Sequence, residues 1–194
     1  MLLPGSRLTN TPIMGLQTGA QLATTKQPII DPANLKIIAY EADGPLLVER
    51  PSYIRIADVR ELSDIGMIID SSDEFVGSED VIQLQKIIDL NFRLIGMSVI
   101  DENKKKLGKV DGYNVDTDSF TVQQLNIRQG IIKSIADTGL LVHRSQIIEI
   151  NNQNIIVRSA ARKLEPIKQS EKLTYINPFR STSIQPDTTT LKNS

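Results

Sequence analysis

The sequence predicts a mainly β protein: two tandem small β-barrels joined by a short helix and followed by a disordered C-terminal tail. Three observations lead there. The apolar content is carried by Ile, Leu and Val, with 4% aromatics and no Trp among 194 residues. The β-branched Ile and Val among them suit a pleated, half-buried surface. Turn signals then punctuate the chain every 8–12 residues or so, the spacing of small barrels and sandwiches. Finally, the chain repeats itself.

Laying ADVRELSDIGMIIDS (57–71) over SQIIEINNQNIIVRS (145–159) matches Glu61 with Glu149, Ile68 with Ile156 and Ser71 with Ser159. Apolar residues coincide at Val59/Ile147, Leu62/Ile150, Met67/Ile155 and Ile69/Val157. Upstream, residues 22–40 lie over 107–125 and match Leu22/Leu107, Asp31/Asp116, Leu35/Phe120 and Ile37/Val122. The offset is 85 in the upstream block and 88 in the other. The second copy therefore holds three extra residues, which belong in a loop, 126–139 against 41–51.

Each element follows from local chemistry. Residues 29–38 and 113–122 are two apolar runs around turns rich in Asp, Asn and Pro or Thr. Asp and Asn suit such turns because their side chains bond the nearby backbone and tolerate left-handed geometry. Residues 148–157 form a hairpin around Asn-Asn-Gln-Asn. Barrel closure would hide the edges of these Ile-rich strands. Between the copies, 77–91 changes period: Val81, Leu84, Ile87 and Ile88 recur at helical spacing, with Ser78 as a cap and Glu79 and Asp80 at the positive end. The predicted division is 1–76, a divergent first barrel; 77–91, the linker helix; 92–162, the second barrel; and 163–194, the tail. In the tail, LTYINPF offers Tyr175 and Phe179 as docking residues.

Composition narrows the function. A formal net charge of −1 argues against a dedicated nucleic-acid binder. Without cysteine there are no disulfides, thiolate chemistry or cysteine-ligated metals. The start, MLLPGSRLTNTP, lacks a signal peptide's basic and apolar regions, and no run approaches the ~18 apolar residues of a membrane span. The expected setting is cytoplasmic.

The stretch FRLIGMSVIDENKKKLGKVDGYNVDTDSFTVQQLNI (92–127) resembles the opening of a PRC-barrel domain. Leu94, Gly96, Val99, Asp101, Leu107, Gly108, Lys109, Val110, Val115, Asp116 and Val122 stand at the matching positions. SQIIEINNQNIIV resembles the family's closing strands. The first copy keeps Gly15, Leu22, Asp31, Leu35 and Ile37 but has Ala23-Thr24-Thr25 where the second has Gly108-Lys109-Val110. The resemblance implies a compact six-stranded barrel used as a docking module. Relatives include the cytoplasmic part of the photosynthetic reaction-centre H subunit and the C-terminal domain of the rRNA-processing protein RimM, which contacts a ribosomal protein. The family implies no shared catalytic residues.

The residues themselves suggest no chemistry. His143 is a lone histidine and reads as structural. The acidic turns Asp116-Thr117-Asp118 and Asp70-Ser71-Ser72-Asp73-Glu74 lack the frame of a calcium loop. The glycines form no phosphate-binding loop. No cofactor or metal is expected. The local basic cluster Lys104, Lys105, Lys106 and Lys109 is a candidate contact for a partner or phosphate, but Asp101, Glu102 and Asp111 flank it and no aromatics interleave. A non-catalytic protein-binding adaptor, its partner unidentified, is therefore the leading expectation. The alternative is an RNA- or ribosome-associated maturation factor acting through a ribosomal protein. An enzyme with a small-molecule pocket at the junction of the barrels is a third reading, which no residue constellation supports.

Overall fold

The computed structural model describes residues 1–45, 47–129 and 139–159, and these are mainly β with one α-helix. The first copy comprises, after β1 (Leu2–Pro4), strands β2 (Pro12–Gly15), β3 (Gln21–Asp31), β4 (Lys36–Asp43), β5 (Ser52–Arg55), β6 (Glu61–Ser63) and β7 (Gly66–Ile69). Strand β8 (Phe75–Gly77) and helix α1 (Ile82–Asp89) lead to the second copy. There β9 (Ser98–Asp101), β10 (Lys106–Asp116), β11 (Thr121–Arg128), β12 (Leu140–His143), β13 (Ile147–Ile150) and β14 (Asn154–Val157) follow in the same order.

The repeat read from the sequence is a repeat of register. Antiparallel β3–β4 pairs Thr25 with Ala42, Pro28 with Tyr40 and Asp31 with Lys36; β10–β11 pairs Val110 with Ile127, Tyr113 with Leu125 and Asp116 with Thr121. Every partner is displaced by 85, and the irregularities fall at equivalent places. In each copy the first strand lies parallel to the last, β2 on β7 and β9 on β14, with β14 at the offset of 88 from β7. The three additional residues sit between β11 and β12, whose connection spans 129–139 against 44–51 between β4 and β5. The turns are closed as their residues require. Asp31 accepts from the Ala33 amide (2.9 Å) and Asn34 Nδ2 (2.9 Å), Asp116 from the Ser119 hydroxyl (2.7 Å), and Asn151 from the Asn154 amide (2.9 Å).

The strands form one mixed, open sheet in the order β13-β14-β9-β10-β11-β4-β3-β2-β7-β6, with β1 on β10, β12 on β11, and β5 on β4 and β8. Its pairings do not join end to end, so closure of each copy is not expressed as a ring of strand pairs. The copies meet where Thr121 of β11 pairs with Lys36 of β4. They also share a core: Ile37, Tyr40, Ile54 and Met67 of the first copy lie in one contiguous cluster with Val99, Val115, Leu125 and Ile155 of the second. Each such buried side chain contributes about 1.5–3 kcal/mol, against about 0.5–1.5 kcal/mol for a backbone hydrogen bond. Packing, more than the short bridge, unites the copies.

The predicted boundaries at 76 and 91 are crossed at two points. Helix α1 begins at Ile82, four residues beyond Ser78, and its N-cap residue Val81 offers no side-chain cap. Asp80 instead accepts from the Gly77 amide (2.7 Å), and 75–77 extend as β8 beside β5. Leu84, with Val81 and Ile88, covers Ala39, Tyr53 and Ile29 on the first copy's sheet, as the periodicity requires. At the other point, β1 leaves its own copy and pairs with β10, Leu3 opposite Val115.

Why β1 chooses β10 over the equivalent β3 is legible in two prolines. The Thr117 amide donates to the Met1 carbonyl (2.8 Å), and strand alternation turns Val115 and Tyr113 towards the same edge. At the equivalent positions of the first copy stand Pro32 and Pro28, which have no N–H to offer. That edge of β3 is blunted by its own sequence, and among the described residues no strand pairs with it beyond Thr24.

Candidate binding site

The cleft between the two copies is built from equivalent pieces of each. Lys26, Gln27 and Pro28 of β3 face Asp111, Gly112 and Tyr113 of β10, residues exactly one repeat offset apart. These are also where both long strands slip register, between Thr25 and Pro28 and between Val110 and Gly112. Bulges re-aim side chains at such places, and here both turn towards the junction. The single turn Gly5–Leu8 and the loop Phe92–Ile95 supply the remaining walls. The half-open volume is about 580 Å³.

Tyr113 forms the floor at 8% exposure, and burial pushes its phenol up to about 12, so it stays neutral. Gly5 permits this arrangement: a Cβ there would lie 2.2 Å from the Tyr113 ring. The rim charges are mostly matched. Lys26 pairs with Asp43 (3.4 Å) and Asp111 with Arg128 (2.8 Å), whereas exposed Arg93 makes no ion pair among the described residues. Nearby, the hydroxyl of fully buried Tyr40 has no hydrogen-bond partner, and burial raises its pKa.

The lysine cluster occupies the β9–β10 hairpin, where Lys104, Lys105, Lys106 and Lys109 are all exposed. The flanking acids lower its net charge but make no ion pair with it. Asp101 is buried at 7% exposure, and its carboxylate accepts from the amides of Asn103 and Lys105, both at 2.9 Å. Glu102 takes the Ser159 hydroxyl at 3.0 Å, and Asp111 is engaged by Arg128. None of the four lysines makes an ion pair among the described residues. The turn is held further by backbone bonds from Asp101 to the Lys105 carbonyl and from Lys104 to the Asp101 carbonyl, with Lys104 at φ 63°. Gly108, at φ 151°, lets the strand pass beneath the Arg128 carbonyl, which a Cβ would approach to 2.2 Å.

The remaining sequence candidates resolve simply. His143 is exposed and caps the turn Arg144–Gln146: its Nδ1 accepts from the Ser145 amide (3.2 Å) and its amide donates to Gln146 Oε1 (2.8 Å). Asp116 serves its hairpin, and Asp70 is clasped by Arg60. No group of three or more His, Asp or Glu among the described residues is placed to hold a metal ion. Among them, too, no helix is long and apolar enough to cross a membrane. Tyr175 and Phe179 lie outside the described residues. Sequence reasoning missed Pro28, Tyr113 and Arg93; the offset aligns Pro28 with Tyr113, but nothing local shows that the two face one cleft.

No known family's sequence profile matches the chain, and no curated protein matches it as a relative.

Proposed function

We propose that this chain is a non-catalytic protein-binding module, an adaptor built from two PRC-barrel-like copies. The composite cleft carries the reading: its walls come in equivalent pairs from both copies, so the site exists only because the sequence is duplicated and fused. On this reading the second copy has a role. It supplies half of a surface, apolar at the floor and charged at the rim, the anatomy of a protein interface. The repeat in register supports the family resemblance, and the resemblance supports a docking role over catalysis.

Site-directed photo-cross-linking in native extract tests this. A photoreactive residue replacing Arg93, at the cleft rim, should yield a discrete protein adduct; one replacing Val48, 96% exposed on the β4–β5 connection, should not. Equal labelling from both positions, or none from either, rejects the reading. The maturation-factor alternative draws on the exposed lysines and is favoured if the adduct at position 93 is a ribosomal protein.

A further inference from the structure

We infer that the β9–β10 hairpin is a docking surface for an acidic segment of a protein partner, with Lys104, Lys105, Lys106 and Lys109 meeting its carboxylates. The inference deepens the binding-module reading and rests on it.

Four features converge. First, the flanking carboxylates are engaged elsewhere than on the lysines: buried Asp101 accepts from backbone amides and Glu102 from Ser159, both keeping their charge, while Asp111 is paired with Arg128. Four lysines against the carboxylates of Asp101 and Glu102 leave the hairpin net positive, which attracts acidic partners and fixes their register. Second, the turn is stiff. The Asp101 bonds and the left-handed Lys104 fix the backbone before any partner arrives, which lowers the ordering cost of association. Third, the fold does not demand lysines here. The equivalent β2–β3 turn reads Leu16-Gln17-Thr18-Gly19-Ala20, without a charge. Fourth, an acidic protein fits better than RNA. None of the described aromatic side chains is exposed, so no described residue offers bases a stacking platform. The whole chain is also net negative despite this patch, so a long polyanion would meet repulsion beyond it. Lys109 lies about 10 Å along the strand from Lys106, at ~3.3 Å per residue, so an extended segment with repeated carboxylates spans the cluster.

The test is fluorescence anisotropy with a short labelled peptide of alternating Glu and Ser, run beside a poly-uridine oligonucleotide at low salt. Replacing all four hairpin lysines by Gln should weaken peptide binding by ~10-fold or more, and added salt should weaken wild-type binding. A charge-matched control replacing Arg7, Lys36, Arg50 and Lys86 by Gln, all exposed residues outside the hairpin, should bind as the wild type does. Equal losses in the two variants, or no binding by the wild type, would overturn the proposal. Tighter binding of the oligonucleotide through the same lysines would overturn it in favour of an RNA surface. If the hairpin proposal fails while the Arg93-position adduct persists, the binding-module reading stands; if the adduct is also absent, both fall.

Discussion

Leu35 and Phe120, one repeat offset apart, each accept a backbone hydrogen bond from the other copy across the junction. The Phe120 carbonyl accepts from the Ile37 amide at 2.8 Å, and the Leu35 carbonyl accepts from the Val122 amide at 2.9 Å. Both residues are buried, and both hold left-handed backbone, φ 55° and 51°. The contact is reciprocal, as in a two-fold dimer interface, so the molecule resembles a dimer written into one chain. Large side chains at left-handed positions are costly and persist only where burial offsets the strain.

Two consequences can be measured by urea denaturation. Because the core is continuous, the copies should unfold in one transition, not two. Phe120→Ala should cost about 3–5 kcal/mol through the cavity it leaves. Phe120→Gly should be less damaging than Phe120→Ala by roughly 0.5–1 kcal/mol, because glycine adopts the left-handed region freely. Two separate transitions would mean that the shared core does not couple the copies.

The edge-strand argument predicts the effect of moving one proline. Thr117→Pro copies Pro32 into the second hairpin and removes the amide that donates to the Met1 carbonyl. The loss should be about 1–2 kcal/mol. Hydrogen exchange should accelerate at Leu3 while the amides between β10 and β11 keep their protection. Unchanged protection at Leu3 would show that side-chain packing alone holds β1.

Arg60 and Asp70 give a pH signature. Arg60 Nε donates to Asp70 at 2.9 Å, with a second bond from the guanidinium, and this contact holds the Asp70 carboxyl below its ordinary value of 3.8. A depressed carboxyl stabilises the fold above its unfolded pKa, and the contribution fades as pH falls through the lower folded value. Melting temperatures of wild type and Arg60→Gln should therefore differ near neutrality and converge in acid below about 3.8. A difference that persists unchanged into strong acid would assign the effect to packing of the Arg60 side chain.

Much of this fold was legible because its determinants are local. Asp31, Asp116 and Asn151 bond backbone within a few residues, so the hairpins they close can be read from short stretches. The offsets of 85 and 88 carried strand register and located the extra residues before β12. What failed depends on distance or direction. β1 is three residues long, and its partner lies over a hundred positions away, too far for any periodicity to report. Ser78 has a cap's chemistry, but β8 and the Asp80–Gly77 bond take up the segment in which it would act. At the lysine hairpin the sequence shows Asp101 as a neighbouring charge, whereas the fold spends that carboxylate on amides inside the turn. The cleft was invisible for the same reason: alignment pairs Pro28 with Tyr113 without saying that they face each other.

Gly5 offers the most direct control over that cleft. A methyl group there would meet three atoms of the Tyr113 ring, the closest at 2.2 Å, so Gly5→Ala must move the ring or the turn. The ring is the softer of the two, being the end of a rotatable side chain, and the cleft it lines gives it open space. Overpacking of this kind costs about 1–3 kcal/mol. Displacement would also rehydrate the phenol, which burial now pushes up to about 12. In an alkaline titration followed by tyrosinate absorbance, one tyrosine should move down towards the ordinary value of about 10. The linkage has a definite sign: stability from holding Tyr113 neutral is complete below about 10 and is lost as pH rises through about 12. Gly5→Ala should therefore lose less stability than the wild type over that alkaline interval. Its photo-cross-linking from position 93 should also fall, because the ring fills the floor on which a partner would sit. Retention of the high phenol titration together with full cross-linking would show that the turn, not Tyr113, gives way.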